Sequence, residues 1–121
     1  MELEILSPEL SVCRVEDYSL TDITAPFTFL GCTDEEKSLV CQTALVPGNA
    51  LSREDGWRAF RIAGTLDFSL VGILARITGL LADAGIGLFA VSTYNTDYVL
   101  VKAEHFDRAL DVLRKAGYSV K

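Results

Sequence analysis

Apolar residues between 57 and 120 switch between a period of two and a period of 3.6, in the order strand, helix, strand, strand, helix, strand. Few topologies accommodate that order. In a split β-α-β unit the crossover sets strands one and two parallel, and strand three returns antiparallel between them. Trp57 to Ala63 reads as the first strand. Leu70 to Ala84 places Leu70, Ile73, Leu74, Ile77, Leu80, Leu81 and Ala84 on one helical stripe, with Gly85 as the stop. Gly79 within this helix is unfavourable by about 1 kcal/mol relative to alanine, which suggests close packing against a neighbouring backbone. Ile86 to Val91 and Tyr98 to Lys102 are the next strands. Glu104 to Ala116 is the second helix, with Phe106, Ala109, Leu110 and Leu113 inward and Gly117 as its stop, and Tyr118 to Val120 closes the sheet.

The first half of the chain is strand-rich and short of helix. Leu3 to Leu6, Leu10 to Val15, Phe27 to Cys32 and Ser38 to Gln42 read as strands, separated by Pro8, by the polar stretch Glu16 to Pro26 and by the charged turn Asp34 to Lys37. Ala44 to Gly56, with Pro47-Gly48-Asn49 and Ser52-Arg53-Glu54-Asp55, reads as a connection. The expected organisation is a strand-rich unit over 1–56 and a regular α+β unit over 57–121.

Half of the 121 residues are hydrophobic and 23% are charged, as in a globular chain. The formal charge of −6 and the scattered Lys and Arg disfavour nucleic acid and anionic membrane as partners. No apolar run reaches the roughly 18 to 20 residues of a spanning helix, and Met1 to Glu4 lacks a basic n-region, so the expected location is cytoplasmic. Cys13, Cys32 and Cys41 are odd in number and show no C-x-x-C spacing, so buried free thiols are expected rather than disulfides or zinc. The lone His105, beside Glu104 and Asp107, reads as a solvated helix-end side chain. No cofactor and no metal site are signalled.

Two polar clusters fall where the chain reverses. Thr65 to Gly72 follows the first strand of the regular unit, and Ser92 to Asp97 joins its second and third strands, so the topology brings both to one end of the sheet. The candidate ligand-binding residues there are Asp67, Phe68, Ser69, Leu70, Gly72, Thr93, Thr96 and Asp97. Backbone N–H groups at the start of the helix suit an α-carboxylate, while Asp67 and Asp97 suit an ammonium or a cationic side chain. Each group also has a plain structural reading, Asp67 or Ser69 as a helix cap and Thr93 to Asp97 as a hairpin turn. Tyr94 and Tyr98 read as core, interface or ligand-lining residues. Arg61 and Arg76 are the nearest candidates for an enzyme of similar fold, which would need an activated nucleophile, an acid/base pair or a phosphate-gripping arginine.

The strand and helix order, with Asp67-Phe68-Ser69-Leu70-Val71-Gly72-Ile73-Leu74 after the first strand, resembles the ACT domain. The usual ACT loop carries an acidic residue and a Pro-Gly pair; here there is no proline and the loop is longer. Together with Ser92-Thr93-Tyr94-Asn95-Thr96-Asp97-Tyr98, the loop is similar to a branch of small bacterial tandem-ACT proteins and to the cytosolic arginine sensors of eukaryotes. The first half is similar to a degenerate first ACT unit, through Leu10 to Val15 and Ser38 to Cys41. The resemblance implies a ferredoxin-like βαββαβ (ACT) unit preceded by a degenerate, strand-rich ACT-like unit. It further implies a pseudo-dimer of units that often dimerises again, with amino acids or like effectors bound at interfaces. The expected function is a non-catalytic, allosteric sensor of a small molecule, most simply an amino acid, acting as a homodimer on a regulated protein met in trans. A small enzyme and a structural interaction protein are the alternatives.

Overall fold

The computed structural model describes residues 1–66 and 71–121. The chain divides into two compact units, one formed by Met1–Ser7 with Arg58–Lys121 and the other by Pro8–Trp57.

In the larger unit, β1 (Glu2–Ile5) pairs antiparallel with the end of β5 (Ala50–Ile62), in the register Leu3 to Ile62, Glu4 to Arg61 and Ile5 to Phe60. The helix α1 (Ile73–Asp83) follows, then β6 (Phe89–Ser92), β7 (Asp97–Lys102), the helix α2 (Ala103–Lys115) and the short β8 (Ser119–Val120). β7 pairs with both β5 and β6, so the returning strand does lie in the middle of the βαββ segment. The last strand does not reach β5. Instead β8 pairs parallel with β1, which is inserted between β5 and β8. Glu2–Ile5 therefore belongs with the far end of the chain rather than with the strands that follow it in sequence. Its alternation explains the placement: Leu3 is fully buried with Phe60 and Ile62, while Glu4 on the other side of the strand pairs with Arg61 at 3.0 Å.

One core serves this unit. Ile77 and Leu81 of α1 and Phe106, Ala109, Leu110 and Leu113 of α2 close over Leu3, Phe60, Ile62, Val99 and Val101. These are the stripes that the 3.6-residue period marks. Gly79 departs from expectation: among the described residues nothing lies within 4 Å of the position its Cβ would take, so none of their backbone crosses there. β6 begins at Phe89 rather than Ile86, because the chain leaving α1 buries Ile86 in the core before it straightens.

The smaller unit contains β2 (Leu10–Val15), β3 (Phe29–Cys32), β4 (Lys37–Gln42), a 3-10 turn at Thr43–Leu45 and the first part of β5. Its strand order is β3-β4-β2-β5, and its core gathers Cys13, Val15, Leu39 and Cys41 with Tyr18, Val46 and Ala50 against them. The expected connection over Ala44 to Gly56 is thus largely strand. Arg53, Glu54 and Trp57 pair with Cys13, Val12 and Leu10, and the register slips between Leu10 and Val12. Gly56 takes a φ of +84° beside this slip, a conformation that a side chain disfavours and a bulge requires. The polar residues that look like a turn have partners in the sheet: Ser11 Oγ donates to Asp55 Oδ1 at 2.6 Å, and Arg53 grips both oxygens of Asp55 at 3.1 Å.

Burial separates the three thiols. Cys13 and Cys41 are buried, but Cys32 is exposed, against expectation, because it ends the edge strand β3. Burial pushes the Cys41 thiol up to about 11, with Cys13 beside it adding to the shift, and burial also raises Cys13. His105 is half-exposed near Glu104.

Candidate ligand-binding site

The start of α1 is set by Gly72, which adopts a φ of +81° and whose carbonyl accepts the first helical hydrogen bond from Arg76 N at 3.0 Å. A Cβ there would meet no atom of the described residues within 4 Å, and the backbone angle by itself favours glycine. Gly72 supplies no side-chain cap. The N–H groups of Ile73, Leu74 and Ala75 in the first turn have no acceptor within the helix and carry its positive pole.

Facing that turn is the hairpin between β6 and β7. Thr93 N donates to Thr96 O at 2.9 Å, Thr93 Oγ1 donates to the same carbonyl at 3.0 Å, and Thr96 N donates back to Thr93 Oγ1 at 3.4 Å. Thr96 is buried and its hydroxyl donates to Ile62 O at 2.8 Å, tying the hairpin to the end of β5. Leu66 N donates to Asn95 O at 2.7 Å and fastens the following loop to the hairpin tip. Asp97 stands opposite Ser92, whose hydroxyl donates to Asp97 Oδ1 at 2.5 Å.

A cavity of about 300 Å³ lies between the helix start and the hairpin. It is lined by Leu66, by Gly72 to Ala75 and by Ser92 to Asp97. Four of the candidate residues, Gly72, Thr93, Thr96 and Asp97, therefore border one space. Asp67, Phe68, Ser69 and Leu70 lie outside the described residues. Both threonine hydroxyls donate to backbone carbonyls, so Thr93 and Thr96 shape the turn. Asp97 brings a carboxylate to the same cavity as the first turn of α1, and among the described residues no cation pairs with it. The wall also includes Leu66, Ile73, Leu74, Ala75 and Asn95, which sequence reasoning did not single out; the span from Thr65 to Gly72 and the hairpin tip were the available signals.

Tyr94 is 79% exposed at the cavity's edge. Tyr98 belongs to a neighbouring polar cavity of about 310 Å³ with Glu4, Arg61, Thr65, Asn95 and Thr96. Arg61 donates to Tyr98 Oη at 3.3 Å and to Glu4 at 3.0 Å, and these bonds raise its already high pKa. Arg76 lies elsewhere, at the far end of α2. Among the described residues no three His, Cys, Asp or Glu side chains are grouped to hold a metal ion. Among them, too, no helix is long and apolar enough to cross a membrane.

Comparison with known proteins identifies this architecture. The protein-family model described as the ACT domain matches residues 52–115, more than half of the chain. The cytosolic arginine sensor for mTORC1 subunit 1 of Homo sapiens is 40% identical over 60 residues, which are 49% of this chain and 18% of that protein. The chain thus spans less than a fifth of that relative's length. A crystal structure of a protein from Agobacterium tumefaciens is 29% identical and superposes with a TM-score of 0.87, covering 99% of this chain and 91% of the other. The regulatory subunit of aspartate kinase from Thermus thermophilus shares the fold at 10% identity, with a TM-score of 0.67 over 97% of each chain. The chain belongs to the ACT domain family.

Proposed function

We propose that this protein is a non-catalytic regulatory module that binds an amino acid in the cavity between α1 and the β6–β7 hairpin. One observation carries the reading: the first turn of α1 and Asp97 border a common space of about 300 Å³. The N–H groups donate to an α-carboxylate and the Asp97 carboxylate accepts from an ammonium, so a zwitterion fits both ends. The candidates Asp67, Phe68, Ser69 and Leu70 complete the ligand-binding set in this proposal. The likeness to an arginine sensor and to a regulatory subunit of aspartate kinase supports the same class of ligand. Binding fixes one arrangement of the chain, and a cytoplasmic protein met in trans, or a second copy in a homodimer, reads that arrangement.

Thermal-shift measurements with the twenty amino acids test the proposal. An amino acid at a hundredfold its dissociation constant adds about 2.7 kcal/mol of stability. Asp97→Ala is expected to abolish the shift for that amino acid while leaving the unliganded protein folded, since among the described residues the Asp97 side chain bonds only to the exposed Ser92 hydroxyl. A melting temperature that no amino acid moves would defeat the proposal.

A further inference from the structure

The geometry points to a second small-molecule site in the larger unit, for a monocarboxylate with an apolar body. A cavity of about 340 Å³ lies between the start of α1 and the end of α2, a volume within the usual range of ligand pockets. Its walls include Met1, Val71, Ile73 and Tyr118, with Arg76 as the charged side chain and no carboxylate among the described lining residues. Arg76 is exposed but held in place: one Nη2–H donates to Ala116 O at 3.3 Å, and the guanidinium lies 5.9 Å from the Tyr118 ring centre. That bond uses one of the five donors of the fork. Among the described residues no carboxylate is paired with it, although the chain as a whole carries six more acidic than basic charges.

The apolar part of the lining points the same way. Val71 is 89% exposed and Met1 is 56% exposed, so two large apolar side chains stand open to water beside a cation with donors to spare. A carboxylate on the Arg76 fork, near the positive start of α1, with an aliphatic or aromatic body against Met1, Val71 and Ile73, satisfies both features. A phosphate dianion suits the site less well, because Arg76 is the one cationic side chain among the described lining residues and large apolar side chains make up much of the wall. Arg76 also caps the end of α2 through Ala116 O, but a cap needs neither the cavity nor the open apolar side chains.

The test uses isovalerate as probe, isovaleramide as its uncharged isostere and acetate as a carboxylate without an apolar body, followed through the backbone amides of the full chain by NMR. Isovalerate is expected to move Ile73, Arg76, Gly117 and Tyr118 saturably, while isovaleramide and acetate do not. Arg76→Gln keeps a donor for Ala116 O and is expected to raise the dissociation constant of isovalerate at least about tenfold. Equal shifts with the amide, no saturable shift, or shifts confined to Thr93–Asp97 would overturn the proposal. The acid and amide comparison on the unaltered chain decides the matter even if the variant does not fold.

Discussion

Thr96 does two jobs at once: its backbone closes the hairpin turn, and its buried hydroxyl holds that turn against the carbonyl of Ile62. The position of Asp97 follows, because it is the next residue and the first of β7. A similar economy governs the thiols of the smaller unit. Cys41 packs beside Cys13 in an apolar cluster, and its thiol is raised from an ordinary 9.0 to about 11. The folded chain holds that proton more tightly than the unfolded chain does. The resulting stabilisation is therefore complete below about pH 9 and is lost as the pH climbs to about 11. Melting temperature is expected to fall over that window, and Cys41→Val is expected to flatten the fall. An equal slope in both proteins would show that other groups cause it.

At the level of elements, α2 was the most legible part of the chain, because charged and apolar residues alternate along it with a 3.6-residue period and Gly117 ends it. β5 was only half legible. Its end, from Trp57, shows the alternation of a strand, but Ser52 to Asp55 imitate a turn, and only the partners Ser11 and Arg53 reveal why four polar residues tolerate a sheet. Ser11 lies far from Asp55 in sequence, and such a partner leaves no periodic trace. The hairpin of the candidate site was readable from its spacing of small polar residues. The contribution of Leu74 and Ala75 was not, since the donors of the helix start were expected near Leu70 and α1 begins at Ile73. In α1, the open surroundings of Gly79 make it a plain helix defect. Gly79→Ala is expected to stabilise the protein by about 1 kcal/mol, measured by urea denaturation; a loss of stability would mean that the helix needs the glycine after all.

For the whole molecule, the informative strand is β1. Leu3 is fully buried in the core of the larger unit, and the strand lies between β5 and β8, bonded on the β8 side through Ile5 N to Lys121 O at 3.1 Å and Lys121 N to Leu3 O at 2.9 Å. A chain lacking residues 1–7 loses the partner of β8 and an interior leucine together. It is expected to show no cooperative melting transition in the part from Arg58 onward, followed by circular dichroism. A cooperative transition near that of the full chain would show that β8 finds β5 unaided, as in a simple split β-α-β unit. This pairing escaped sequence reading because a parallel ladder between such distant segments requires no turn residues and no spacing that a reader can recognise.

The same pairing bears on how the protein is born. While the ribosome is still working, Glu2–Ile5 has left the exit tunnel long before Ser119–Val120 has been polymerised, and the strand must wait with its hydrogen-bonding edge unfilled. The larger unit therefore reaches its final form only once translation has passed its last strand.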